Sequence, residues 1–207
     1  MSARLRVGVL ASGSGTNLQA LLDTVHAHEA DIVAVASDQP DAHALDRARA
    51  AGVASAVFEL TDHPDRTARD SAIADWLAQR DVALVVLAGY MALLTAPFLD
   101  RFPGAVVNVH PALLPAFPGV RAIEQAVAYG VKVFGVTVHF VDNGVDTGPV
   151  ILQRAIELPG ARDAGDVRER LRPLEHALLP EAVRLIARGA VRTDPGNPRR
   201  VLVDRRS

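Results

Sequence analysis

The 207-residue chain contains no cysteine, and that one absence removes disulfides, thiol nucleophiles and the usual structural zinc sites from the chemistry open to it. Any catalysis has to rest on histidine, carboxylates, amides or hydroxyls. Charge of one sign is also lacking: 22 Lys plus Arg stand against 24 Asp plus Glu, with 49% hydrophobic residues, as in ordinary globular proteins and unlike disordered or nucleic-acid-binding ones. No long apolar run opens the chain. MSARLRVGVLASGSG passes from a short apolar segment straight into polar glycines, too short and interrupted for a signal peptide or membrane span. A cytoplasmic protein with no membrane and no nucleic-acid partner is therefore expected. Internal repeats are missing, and His26, His28, His43 and His63 have no spacing suited to a metal, so they are expected at the surface and no metal site is expected.

What is present is a regular alternation. Short β-branched runs at 5–10, 31–36 and 54–58 are separated by Ala/Leu/Arg-rich stretches at 18–28 and 42–51, and a helix is expected over 65–80. The continuous apolar run 82–88 suits a central parallel strand buried on both faces. The pattern is α/β: a Rossmann-like, doubly wound, mostly parallel sheet. After 106–109 it changes, because 132–141 and 150–156 are joined only by the short, Gly-rich 142–149, which predicts an antiparallel edge. A helix follows over about 163–188, where Pro173 and Pro180 remove backbone donors and are expected to kink or divide it. One domain over 1–189 is expected, with a peripheral Pro- and Arg-rich tail at 190–207.

Four segments carry polar residues in patterns that chemistry uses. Between the first strand and first helix lies ASGSGTNL at 11–18, where backbone N–H groups and the helix dipole favour an anion such as phosphate. Gly13 and Gly15 let the backbone approach a ligand, and Ser12, Ser14, Thr16 and Asn17 add donors or cap the helix. A plain capped turn would look the same. A dinucleotide fingerprint with Asp38 as its ribose acid is the third option, opposed by Leu18 where the last glycine belongs.

In VVNVHPALLPAFPG at 106–119, Asn108 and His110 are two apart on a strand and so face one side, at the carboxyl end where doubly wound folds place ligands. An amide donor and an imidazole aimed at one point suit a carbonyl that becomes a tetrahedral oxyanion; a turn-forming Asn and a core His are the plainer alternative. The loop holds the Leu114–Pro115 bond, a candidate cis peptide. Asp142 and Asp146 lie in the loop of VHFVDNGVDTGPV at 138–150, either as hairpin turn residues or as a lid whose carboxylate, set beside His110, favours the imidazolium. Their spacing does not match an EF-hand, and His139 is expected to be structural. On the late helix, Arg172 could meet a phosphate and Glu175 sugar hydroxyls, although locally the segment is indistinguishable from a solvated face.

Taken in order, SGSGTNLQAL, LAGYMALL, NVHPALLPAFPG, HFVDNGVDTGPVI and EHALLP make the chain, from about 5 to 180, resemble the phosphoribosylglycinamide formyltransferases, folate-dependent formyltransferases of de novo purine synthesis. The resemblance implies the formyltransferase fold and direct attack of the substrate amine on the formyl carbon of 10-formyltetrahydrofolate, a cosubstrate, with no metal or tightly bound cofactor. Asn108, His110 and Asp146 would be catalytic, with Asp146 supporting His110 and assisting proton transfer through water. Gly15, Thr16 and Asn17 would hold the ribose phosphate with help from Arg172, and Glu175 would hold the ribose. Arg66, Leu87, Tyr90, Met91, Ala92, Leu93, Leu94, Leu99, Asn108, Val141, Asp142 and Asp146 would form the folate side. Small-molecule substrates, and a monomer or homodimer, are implied. Ala92, Ala116 and Arg121 depart from residues common in the family at those positions, which bears on folate-tail contacts and local positioning. A 10-formyltetrahydrofolate hydrolase would share the Asn, His and Asp set with water as acceptor. A methionyl-tRNA formyltransferase would need a further C-terminal domain and a more basic surface, and a non-enzymatic nucleotide-binding module would need only the Gly13 loop.

Overall fold

The computed structural model describes residues 4–204, and the chain folds as two compact units, one ending at Asn108 and the other starting at Val109. In the first unit β1 (Leu5–Leu10), β2 (Ala30–Ser37), β3 (Ala54–Val57), β4 (Leu84–Leu87) and β5 (Val106–His110, whose last two residues open the second unit) lie in the order β3-β2-β1-β4-β5. All four pairings are parallel. Helices α1 (Thr16–Thr24), α2 (His43–Ala50), α3 (Arg66–Ala78) and α4 (Ala96–Arg101) fill the crossovers, with one 3-10 turn at Leu60–Asp62. The order reverses direction between β1 and β4, so the turns leaving their carboxyl ends flank a topological switch point, where open α/β sheets hold ligands.

The reason these strands are central is their apolar content. Val7, Val9, Val35, Val85, Val86 and Val107 are inaccessible to solvent, and burying a side chain of this size contributes about 1.5–3 kcal/mol. Helix α3 begins where the Asp65 carboxylate accepts the Ala68 N–H at 2.8 Å, and it buries Ile73, Ala74 and Leu77.

In the second unit β6 (Val133–Phe140) and β7 (Val150–Glu157) are antiparallel, as the short connection between them requires. The tail forms a hairpin, β8 (Val191–Asp194) with β9 (Asn197–Val203), and β9 touches β7 in parallel at Val150 and Arg200. Helix α5 (Ala122–Tyr129) and the 24-residue α6 (Ala164–Ala187) complete the unit. Of the two expected effects of Pro173 and Pro180, division does not occur: α6 runs undivided through both. Leu178, Leu179, Ala182 and Val183 are buried on the face packed on β6 and β7, and that packing outweighs two missing donors. The fold is α/β, with mostly parallel strands and an antiparallel edge. Among the described residues no helix is long and apolar enough to cross a membrane.

Candidate active site

Strand β5 ends on His110, 5% exposed, and the chain then turns through a loop held by one buried hydroxyl. Thr137 Oγ1, on β6, donates to Ala112 O at 2.7 Å and accepts from Leu114 N at 3.1 Å and Gln153 Nε2 at 2.9 Å. Gln153 Nε2 also donates to Leu114 O at 2.8 Å. The Leu114–Pro115 peptide is cis. The loop is thereby brought back over His110, whose Nε2 lies 2.8 Å from the Phe117 carbonyl.

The other ring nitrogen of His110, Nδ1, is 3.3 Å from Asp146 Oδ2. That oxygen accepts the Gly119 N–H at 2.7 Å, and Oδ1 lies 3.4 Å from His139 Nε2. His139 Nδ1 in turn is 2.8 Å from Phe140 O. Each imidazole thus faces an oxygen acceptor at both nitrogens, and only a doubly protonated ring can donate to both. Burial alone would raise the Asp146 pKa, but the bonds from His139 and the Gly119 N–H and the nearby His110 outweigh it and hold the carboxyl at about 2, below its ordinary 3.8. Asp146 is therefore a carboxylate at neutral pH, set between two histidines. Phe117 and Asp146 both occupy left-handed backbone at φ 53, and such non-glycine conformations concentrate where a fold fixes a functional geometry.

The loop that delivers Asp146 is braced from within and from outside. Asp142 Oδ1 accepts from Gly144 N at 3.0 Å and from Thr147 Oγ1 at 2.6 Å. At its base Gly148 is obligatory, because a Cβ there would overlap the Phe140 carbonyl. Arg199, on β9, donates to the Thr147 carbonyl and stands 3.9 Å from Asp142 Oδ2.

In the first unit, the turn after β1 presents the N-terminus of α1. Gly15 has φ 68, and a Cβ on it would come within 2.6 Å of Ala44 Cα, so only glycine fits. Two carbonyls of this turn are taken up by α2 and its cap: Gly13 O accepts from Ala44 N at 3.1 Å, and Ser14 O from Arg47 Nε at 2.9 Å. With those carbonyls occupied, the first-turn N–H groups, including those of Thr16 and the buried Asn17, form the anion-favouring end of the helix. Ser12 does not join them. Its hydroxyl donates to Asp38 Oδ1 at 2.6 Å and accepts from Met91 N at 2.9 Å.

The segment after β4 shows apolar side chains to solvent, Met91 at 68% and Leu93 at 53% exposed, above the buried Leu87 and Tyr90. Burial pushes the Tyr90 phenol well above its ordinary range, and Arg69 opposes the shift. Ala92, Leu94 and Leu99 are half-buried nearby in sequence, and Arg66 is exposed at the start of α3. In the second unit Arg172 is exposed and Glu175 half-buried on α6, Val141 and Asp142 are half-buried, and Asn108 is half-buried where β5 leaves the first unit. Two histidines expected at the surface are half-buried instead. His26 Nδ1 accepts from Ile32 N at 3.0 Å, and His63 stacks on Phe58 at 6.4 Å.

Sequence reasoning paired Asp146 with His110 but missed its other partners, His139 and the Gly119 N–H. His139 and Thr137 are two apart on β6 and so share a face, which is a signal, but nothing local tells that the loop folds back onto it. Gly119, Phe117 and Arg199 contribute backbone groups or long-range contacts that leave no residue-type signature.

An imidazole and a carboxylate at the carboxyl end of a Rossmann-like strand, with an anion-favouring turn after β1, define a class that the comparisons identify. Residues 5–183 match the formyl transferase family, and the chain belongs to it. The phosphoribosylglycinamide formyltransferases of Mycobacterium tuberculosis (strain H37Rv) and Bacillus subtilis are 45% and 39% identical over 187 and 181 residues. These alignments cover 90% and 86% of this chain and 86% and 93% of the relatives. The solved glycinamide ribonucleotide transformylase 1 from Symbiobacterium toebii superposes with TM-score 0.93 at 47% identity, over 97% of this chain and 94% of that one. The chain also matches the trifunctional purine biosynthetic protein adenosine-3 of Drosophila melanogaster at 40% identity, spanning 14% of its length. A formyltetrahydrofolate deformylase from Pseudomonas syringae, 23% identical with TM-score 0.89 over 98% of this chain and 66% of that one, shares the fold.

Proposed function

We infer that the chain transfers the formyl group of 10-formyltetrahydrofolate to the amine of 5-phosphoribosylglycinamide, the step for which its Mycobacterium and Bacillus relatives are named. The observation that carries the reading is the Asp146 carboxylate lodged against His110 at the end of β5. The amine nitrogen attacks the formyl carbon and its C=O becomes a tetrahedral oxyanion. Asn108, two residues before His110 on the same strand, and the His110 imidazolium stabilise that charge. The bond from carbon to the folate nitrogen then breaks, the folate nitrogen takes a proton, and the attacking nitrogen loses one with help from Asp146 through water. His110 Nε2 lies 2.8 Å from the Phe117 carbonyl, so the formyl oxygen competes with that carbonyl for a proton on that nitrogen. The transfer proceeds by direct attack, without a covalent enzyme intermediate.

In the same reading Gly15, Thr16, Asn17 and Arg172 hold the phosphate and Glu175 the ribose. The folate lies along Arg66, Leu87, Tyr90, Met91, Ala92, Leu93, Leu94, Leu99, Asn108, Val141, Asp142 and Asp146. The catalytic domain is 1–189, and the protein works on small molecules in the cytoplasm as a monomer or homodimer. The test is folate deformylation followed spectrophotometrically with and without the ribonucleotide. Turnover that requires the ribonucleotide is expected; equal turnover without it would make the chain a 10-formyltetrahydrofolate hydrolase.

A further inference from the structure

The turn after β1 and the segment after β4 leave neighbouring strands at the switch point, and Ser12 is what joins them. Its N–H donates to Gly89 O at 3.1 Å, its hydroxyl accepts the Met91 N–H at 2.9 Å, and the hydroxyl proton goes to Asp38 Oδ1 at 2.6 Å. A hydroxyl has one proton, so the bond to Asp38 fixes the lone pairs that receive Met91. The far end of the same segment is fastened separately. Asp70 Oδ2 accepts the Thr95 N–H at 2.8 Å, and Oδ1 is held by Arg69 Nε at 3.1 Å and Nη2 at 2.7 Å. Arg69 and Asp70 are both buried. Residues 89–95 are thus pinned at both ends, with the exposed apolar side chains of Met91 and Leu93 between the pins.

We propose that Ser12, oriented by Asp38, is a positioning residue for the cosubstrate-facing segment around Met91, and that it takes no part in holding the phosphate. The inference rests on the formyltransferase reading for what lies against Met91, and on the hydrogen bonds alone for what Ser12 holds. Phosphate binding is insulated from Ser12, because the carbonyls of Gly13 and Ser14 are held by Ala44 and Arg47 on the other side of the turn.

The experiment measures steady-state constants for both substrates in the full chain carrying Ser12→Ala, Ser12→Thr, Asp38→Ala or Asp38→Asn. Ser12→Ala removes one neutral hydrogen bond at the segment, and folate KM should rise about 5- to 10-fold. The ribonucleotide KM should stay within about twofold and kcat within about threefold, limits set as smaller than that one lost bond. Ser12→Thr keeps the hydroxyl and should restore folate KM; Asp38→Asn keeps an acceptor and should resemble wild type, whereas Asp38→Ala should resemble Ser12→Ala. A rise confined to the ribonucleotide KM, or equal rises in both, would overturn the proposal by returning Ser12 to the phosphate or to general stability. Wild-type protein that turns over neither substrate would overturn the functional reading, and this inference with it.

Discussion

Replacing Asp146 by asparagine keeps the shape of the side chain and removes the charge between His110 Nδ1 at 3.3 Å and His139 Nε2 at 3.4 Å. The Gly119 N–H, 2.7 Å from Oδ2, can still donate to the amide oxygen, so the loop keeps one of its anchors. The carboxyl lies at about 2 against an ordinary 3.8, which corresponds to about 2 kcal/mol of preference for the charged form in the folded protein. Because the folded value is the lower one, this stability is fully present above about pH 4 and is lost as pH falls from about 4 through about 2. Asp146→Asn should therefore lower Tm at pH 7 by roughly 4–8 °C, and the gap to wild type should close on acidification across that window. Its kcat should fall by about 10²- to 10⁴-fold with both KM values within about threefold, since the lost term acts on charge that develops during the reaction. Deformylation kinetics and thermal melts at several pH values measure both effects. A variant retaining a tenth or more of wild-type kcat, or a stability gap constant down to pH 2, would refute the reasoning.

Gly15→Ala should raise the ribonucleotide KM by at least about tenfold and cost about 1–3 kcal/mol, because φ 68 and Ala44 Cα at 2.6 Å leave no room for a Cβ; denaturant titration and kinetics check it. His139→Phe should remove the imidazole 3.4 Å from Asp146 Oδ1, lowering stability by about 1–3 kcal/mol and raising the Asp146 pKa, read by NMR titration of the side-chain carboxyl. Arg199→Ala should loosen residues 142–148 without changing global stability by more than about 0.5 kcal/mol, seen as faster amide hydrogen exchange there and lower kcat/KM.

The alternation of apolar runs with helical stretches was legible, because β1, β2, β4 and α3 carry their periodicity in their own residues. The antiparallel β6–β7 pair was an equally local signal. Helices α4 and α5, of six and eight residues, are too short to show a period, and the β8–β9 hairpin lies in a stretch whose prolines and arginines disguise it. That the prolines of α6 do not divide it was hidden for the opposite reason, since it depends on packing that only the folded chain reveals. At the site, strand alternation placed Asn108 and His110 together, and the structure brings His110 to Asp146. What stayed illegible was everything made by backbone or by chain reversal: Gly119, Phe117, the second histidine at Asp146, and the bond between Ser12 and Met91.

Thr137 shows how unequal neighbouring positions on one strand can be in what they tolerate. Valine has its outline and would fill the space completely, yet it would strand the Ala112 carbonyl and the Leu114 N–H at about 1–3 kcal/mol each, and leave the exposed Gln153 amide only its bond to Leu114 O. Serine keeps the hydroxyl and forfeits only a methyl group. The order of acceptable replacements at this site is therefore set by chemistry and not by volume, the reverse of Val136 and Val138 on either side, so a library selected for folding should admit isosteres at those two and reject them at the residue between.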